Sequence, residues 1–234
     1  MEDYYNINTR NEKFESRVNY GNIKSNIEFI EKTGLLDKEK EILEVGSGLG
    51  NMIKTLAKKG YKIKGIDIDK NKIEEAKSIH GNIPIKKASG EEIPFENEKF
   101  DIVMSFDVFE HIQSSDKHLR EVRRVLKDGG HYLLQTPNKY TNIIFEVIRQ
   151  RSMTRWKKYH CSLHSYKEVV DRFEKNNFEV KFHDVPVVND FFKSKLRRYM
   201  GRLGVALLNI YNPDYLPMRM KTNFFIEARK VSNK

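Results

Sequence analysis

One cysteine, Cys161, stands among 234 residues, so no internal disulfide can form. That suits a reducing compartment, and a cytoplasmic location is expected. No apolar run is long enough to span a bilayer, and the first residues show no secretory signal pattern. No internal repeat, low-complexity tract or flexible linker divides the chain. A single domain is expected, with an N-terminal cap over 1–38, a binding core over 39–137 and a substrate-side portion over 138–234. Apolar residues make up only 38% of the chain and charged ones 32%, so the surface is heavily charged.

What is present begins with Glu41 to Gly50, Glu-Ile-Leu-Glu-Val-Gly-Ser-Gly-Leu-Gly. Ile42, Leu43 and Val45 form a short apolar run of strand type, and a helical pattern follows through Met52, Ile53, Leu56 and Ala57. Gly46, Gly48 and Gly50 therefore fall where a strand turns into a helix. Glycine there permits positive φ and close approach of a ligand to bare backbone. The helix start adds unpaired N–H groups and partial positive charge. Packing alone could also call for such glycines. Lys62 to Ile68 reads as a second strand with Asp67 at its end, and an acid about 20 positions beyond the glycines can bind ribose hydroxyls. Together they make a nucleoside half-site.

Strand and helix patterns alternate as far as Pro137. A helix from Ile23, ending near Gly34, precedes the first strand. Further strands are expected at Ile83–Ala88, Phe100–Phe106 and His131–Thr136, with helices at Asn71–Ile79 and after Ser114 or Ser115. Helices at Ile143–Ile148, Tyr166–Lys175 and Asp190–Ile210 come next, with strands at Phe178–Val188 and Asn223–Val231. The alternation implies an α/β fold: a Rossmann-like, mostly parallel seven-stranded sheet with helices on both faces. An antiparallel C-terminal hairpin, an N-terminal helical cap and a helical insertion before the last strand complete it.

Four stretches resemble class I S-adenosylmethionine-dependent methyltransferases. They are Glu44-Val-Gly-Ser-Gly-Leu-Gly50, Asp67, Ser89-Gly90-Glu91-Glu92-Ile93-Pro94-Phe95 with Phe100-Asp101-Ile102-Val103, and Leu126-Lys127-Asp128-Gly129-Gly130. The wording is closest to ubiquinone-biosynthesis-type small-molecule O-methyltransferases, through Glu110-His111 and Thr136-Pro137-Asn138. The resemblance implies S-adenosyl-L-methionine as donor. Gly46, Ser47, Gly48 and Gly50 would carry its methionine part, Asp67 would hold the ribose, and Glu44 would orient the loop or meet the amino group. Ile68 and Phe106 would lie near the adenine or sulfonium, or serve simply as core. Ser89 replaces an aspartate frequent in the family at the adenine amino group, with Gly90 and Glu91 as substitutes.

For an alcohol or phenol acceptor a base is needed. Asp107, Glu110 and His111 follow the fourth strand. On a helix beginning there, positions i, i+3 and i+4 share a face. Such a face can hold His111 as a base oriented by a carboxylate, or a divalent cation such as Mg. The resembled branch carries metal ligands at this spacing, with glutamate where this chain has Asp107. Favourable charge at a helix start is the plainer account of the two acids. His160 and His164, flanking Cys161, could line the acceptor pocket or be ordinary loop residues.

Formal net charge is +10, compatible with a lysine-rich solvated surface, an anionic lipid or nucleic acid. The excess concentrates in Arg149–Lys158 and Lys193–Arg202, neither of which contains an acid. The later one sits on a helix carrying Phe192, Leu196, Tyr199, Leu203 and Leu207, either a lid on the sheet edge or an interfacial helix. Methyl transfer to oxygen of a small or lipid-linked acceptor is the leading expectation. An RNA methyltransferase or binder and a nicotinamide-dependent oxidoreductase are the alternatives. The third glycine falls one residue early for the nicotinamide fingerprint.

Overall fold

The computed structural model describes residues 22–152, 154 and 160–232, with the side chains of 22, 191 and 195 excepted. Most of the expected cap, residues 1–21, lies outside the described residues, as do Arg155, Lys157 and Lys158 of the first basic segment. In chain order the elements are α1 Asn22–Thr33, β1 Glu41–Val45, α2 Asn51–Lys58, β2 Lys62–Asp67, α3 Lys70–His80, β3 Ile85–Lys87 and β4 Phe100–Phe106. Then come α4 Ser115–Val125, β5 Leu126–Pro137, α5 Lys139–Gln150, α6 Tyr166–Lys175, β6 Phe178–His183, α7 Asp190–Leu207 and β7 Asn223–Lys230.

The seven strands lie in the order β3-β2-β1-β4-β5-β7-β6. The first five are parallel, and β7 runs antiparallel between β5 and β6. The α/β sheet expected from the alternation is thus present, with its antiparallel edge. β6 and β7 are joined through α7 rather than by a tight turn.

Strand residues alternate between two cores. Leu43, Val103, Tyr132, Leu134, Phe224 and Ile226 pack on one face with Leu119 and Val122 of α4 and Phe173 of α6. Ile42, Ile102, Met104, Leu133 and Phe225 pack on the other with Phe29 of α1, Ile53 and Leu56 of α2, and Ile73 of α3. Chain order reverses between β1 and β4, so the helices following these strands cover opposite faces. The crevice at the carboxyl ends of β1 and β4 is therefore a topological switch point, where open α/β sheets place ligands.

Three boundaries depart from the sequence pattern. β5 starts at Leu126 rather than His131, because its early residues already pair with β4, with a register shift between Phe100 and Ile102. β6 stops at His183, before the Pro186 region. β3 is only three residues long at the sheet edge.

The antiparallel edge is held by a buried lysine. Lys230 at the end of β7 donates to the Leu126 carbonyl at 2.7 Å and lies 3.1 Å from Asp128. Lys230→Met should strand that carbonyl and carboxylate and lower stability by about 1–3 kcal/mol, measured by urea denaturation.

Candidate active site

β1 delivers the glycine turn and β2 receives it. The Gly46 and Ser47 N–H groups both donate to the Ile66 carbonyl, at 2.8 and 3.0 Å. Gly48 N–H donates to Asp67 Oδ2 at 2.7 Å, and Asp69 N–H to Asp67 Oδ1 at 2.9 Å. Asp67 is buried, and these two donors satisfy part of its carboxylate while lone pairs remain for a ribose diol. Asp69 in turn caps α3. All three glycines have positive φ: 74° at Gly46, 51° at Gly48 and 72° at Gly50.

The first two glycines serve different ends. A Cβ at Gly46 would stand 2.3 Å from Val108 Cγ2, so this glycine lets the segment after β4 close over the turn. A Cβ at Gly48 would meet nothing within 4 Å. The space above Gly48 is open, as a ligand approaching bare backbone requires.

Glu44 adds a second mark of a missing partner. It is buried beneath the turn, and its Oε2 makes no hydrogen bond. Burial, and then the Asp67 carboxylate, push its pKa well above the ordinary value. An ammonium group would satisfy that oxygen and favour the ionised form. The residues here therefore fit an S-adenosylmethionine donor, whose amino group Glu44 would meet and whose ribose Asp67 would hold. Ile68, 68% exposed directly after Asp67, stands outside the core. Phe106 is half-buried against the second core.

The loop Ser89–Phe95 is tied to α4 by its own side chains. Ser89 Oγ accepts from Glu91 N–H at 3.1 Å, and Glu91 Oε1 accepts from Ser114 N–H at 3.0 Å at the start of α4. Both side chains thus bind the loop and the helix start. Gly90 is anchored from below by a residue the sequence pattern did not single out. His118 is fully buried on α4, with Nδ1 2.7 Å from the Gly90 carbonyl and Nε2 2.9 Å from Tyr132 Oη. Tyr132 Oη lies 2.5 Å from Ser105 Oγ. A carbonyl can only accept, so Nδ1 carries the proton and Nε2 accepts from the tyrosine. Burial lowers the His118 pKa and keeps the ring neutral. The chain Ser105–Tyr132–His118–Gly90 ties β4, β5 and α4 to the cofactor loop.

Beyond β4 the expected helix is absent. Asp107 has φ 54°, and a three-residue 3-10 turn, Phe109–His111, follows. Gln135 is the cause: its backbone carbonyl and its Oε1 both accept from Asp107 N–H, at 3.2 and 3.1 Å. The left-handed step at Asp107 removes the shared face of i, i+3 and i+4. Asp107 is exposed, Glu110 points into the core, and His111 is exposed beside it. Among the described residues no three His, Cys, Asp or Glu side chains are grouped to hold a metal. The proposed metal ligation by Asp107, Glu110 and His111 does not fit this geometry.

The same geometry does bring an acid and two imidazoles together. Glu110 Oε1 is 3.8 Å from His111 Nε2, and the rings of His111 and His160 are 5.1 Å apart. Burial, with Asp107 as a lesser cause, lifts Glu110 to about 8, and Thr136 Oγ1 donates to it at 3.2 Å. Burial, with His111 adding to it, lowers His160 to about 4, so that ring is neutral. Glu146 of α5, also missed from sequence, is buried, ion-paired to Arg149 and bonded to Gln150 Nε2 at 2.5 Å. His164 stands apart from the pair. It packs on Phe109 with ring centroids 5.2 Å apart, and its backbone carbonyl accepts from Lys139 N–H.

A family model described as a methyltransferase domain matches residues 15–181. This chain belongs to that methyltransferase family. The ubiquinone biosynthesis O-methyltransferase of Pelagibacter ubique is 25% identical over 154 residues, covering 62% of this chain and 63% of that one. The chain spans 37% to 63% of the length of the first curated relatives it matches. The YcgJ protein of Bacillus subtilis superposes with a TM-score of 0.63 at 21% identity, covering 90% of this chain and 100% of that one. A (4+2)-cyclase, SpnF, has a TM-score of 0.61 at 16% identity, covering 90% of this chain and 82% of that one. The methyltransferase family decides between the two interpretations of the half-site, against the nicotinamide enzyme. The recognition of an S-adenosylmethionine-dependent methyltransferase from the four stretches stands.

Three outcomes are expected. Gly48→Ala should melt within a few degrees of the parent yet lose at least about tenfold in S-adenosylhomocysteine affinity by calorimetry, whereas Gly46→Ala should lose stability through Val108. His118→Leu should weaken the same ligand while acceptor KM is unchanged, because only the Gly90 loop loses its anchor. Glu110 retains its proton in the native state from the ordinary 4.5 up to about 8. Native stability should therefore fall as pH rises through that window, and Glu110→Gln should flatten the slope, by about 1–3 kcal/mol in denaturant titrations.

Proposed function

We propose that the protein transfers a methyl group from S-adenosylmethionine to an oxygen of a small or lipid-linked acceptor, with His111 as base. The observation that carries this is the grouping of His111, Glu110 and His160 beside the end of β4, on the sheet edge that carries the glycine turn. The likeness to an O-methyltransferase of ubiquinone biosynthesis supports oxygen as the nucleophile.

The donor supplies a methyl already activated by its positive sulfur. The protein's share is alignment and proton removal. The turn at Gly46–Gly50 and the Asp67 carboxylate would hold the donor, and Glu44 would take its ammonium. His111 turns Nε2 toward Glu110, so the acceptor's proton passes to Nδ1. As the acceptor oxygen forms its bond to carbon, the carbon–sulfur bond breaks and a neutral thioether leaves. Glu110, protonated below about 8, stands 3.8 Å from His111 Nε2 and adds no second negative charge beside the reacting oxygen. His160, neutral, walls the same space without competing for the proton.

The test is transfer of labelled methyl to a panel of phenols, alcohols and amines, beside calorimetry with S-adenosylhomocysteine. His111→Ala should bind that ligand normally and lose about 100-fold or more in kcat toward the hydroxyl acceptors. Asp67→Ala should lose the ligand itself. Label appearing on amines alone, at a rate unchanged in His111→Ala, would remove both oxygen and the base.

A further inference from the structure

α7 turns its second half away from the fold. Helical geometry fails at Gly201, with φ 65° and ψ −159°, so the element is two helical pieces meeting at a kink. Before the kink, Phe192, Leu196 and Tyr199 are half-buried, and Tyr199 meets Phe145 of α5 edge-on at 5.9 Å. After it, Leu203, Leu207, Ile210 and Tyr211 follow at helical intervals, and all four are exposed, Leu203 to 80% and Ile210 to 85%. The lid expected from sequence is therefore only the first half of the helix.

A second stripe runs beside it. Tyr140, Ile144 and Ile148 recur every fourth residue on α5, and all three are exposed. The Phe145–Tyr199 contact sets the two helices against each other. Both belong to the active-site edge of the sheet. α5 starts directly after β5, whose Gln135 holds Asp107, and α7 leads to β7, whose first residue, Asn223, pairs with Pro137.

Scattered exposed leucines need no explanation, but seven large apolar side chains on two touching helices and the turn that follows one of them do. The charge around α7 and the end of α5 is of one sign, while at the start of α5 Glu168 pairs with Lys139 at 2.7 Å and Asp171 lies in the same pocket as Tyr140. No acidic residue lies between Asp190 and Asp214, nor between Glu146 and Glu168. Lys193, Arg197, Arg198 and Arg202 are exposed on α7, as is Arg151 at the end of α5. The nearest acid on α5, Glu146, is buried and bound to Arg149. A second copy of the same face would set arginine against arginine. An apolar strip with an excess of cations over anions, all of it on the α7 side and at the end of α5, matches an interface whose interior is hydrocarbon and whose surface is negative.

We infer that the α5–α7 face docks on an anionic lipid bilayer. Leu203, Leu207, Ile210 and the α5 stripe enter the headgroup–acyl boundary, and the arginines meet headgroup phosphates. No helix among the described residues is long and apolar enough to cross a membrane, so the contact is peripheral. Docking places the sheet edge with Asp107 and His111 toward the bilayer. The inference does not rest on the identity of the acceptor or on His111 as base.

The test is flotation of the full chain with vesicles of phosphatidylglycerol in phosphatidylcholine, against phosphatidylcholine alone, over a salt series. Binding should appear on the anionic vesicles only and fall as salt shortens the screening length. Arg197→Gln and Arg202→Gln should each weaken it roughly fivefold. Leu203→Ser with Ile210→Ser should weaken it about tenfold or more, with the melting curve and S-adenosylhomocysteine affinity unchanged. Absence of flotation at low salt would overturn the inference, and so would equal binding to both vesicle types. A dimer in light scattering that Leu203→Ser dissociates would assign the face to a second copy instead. RNA held more tightly than vesicles, and lost in the same arginine variants, would assign it to nucleic acid.

Discussion

The structure depends on one buried carboxylate. Asp67 stands at the end of β2 and receives two backbone N–H groups, from Gly48 on one oxygen and Asp69 on the other. A buried carboxylate costs free energy unless hydrogen bonds replace its water. These two donors are available only because the chain turns left-handed at Gly48 and because β1 and β2 are parallel neighbours. The same arrangement sets two further conditions. It seats the Gly46 and Ser47 amides on the Ile66 carbonyl, so the turn is bonded to the next strand rather than to itself. It also sets Asp67 near Glu44, whose pKa burial, and then that nearby carboxylate, hold well above the usual carboxylate range.

The opposite wall of the crevice is set by a different pair of strands. β5 fixes the exit of β4 through Gln135, and the left-handed step this imposes at Asp107 decides where Glu110 and His111 go. Glu110 is sent inward, where burial keeps it protonated, and His111 outward, where it is exposed. His118 performs the matching task below the adenine-side loop. Its two ring nitrogens connect the Gly90 carbonyl to Tyr132, and Tyr132 to Ser105. Donor side and acceptor side are thus braced from the same two strands. The fold itself does not name the chemistry, since a cyclase shares it. What distinguishes this chain lies in the side chains of its later elements and in the surface they expose.

That surface follows from Gly201. Were α7 continuous, Leu203 and Leu207 would extend the stripe of Phe192, Leu196 and Tyr199 toward the sheet. The kink breaks the stripe, leaving its second half exposed beside that of α5. Exposed apolar area is costly to keep in water, and the basic residues around it indicate an environment in which the cost is recovered.

From sequence alone the strand-to-helix turn, the acid at the end of the next strand, the parallel sheet and its antiparallel edge were all legible. Each is written in neighbouring residues: glycines at alternate positions, apolar runs of strand length, and helical spacing between them. Asp67 and the glycine turn needed no knowledge of what lies far along the chain. Tertiary structure decided the rest. The 3-10 turn at Phe109–His111 comes from Gln135, 28 positions from Asp107, and this undid the metal face that helical spacing suggested. His118 has no local signature, because its partners are a carbonyl 28 positions earlier and a tyrosine on the next strand. Ser89 accepts from Glu91 N–H within its own loop, and Glu91 accepts from Ser114 N–H at the start of α4. Local patterning sets which segments form and which way their apolar sides face. Which polar atoms meet is set by strand pairing across the sheet, a long-range constraint that no window of sequence contains.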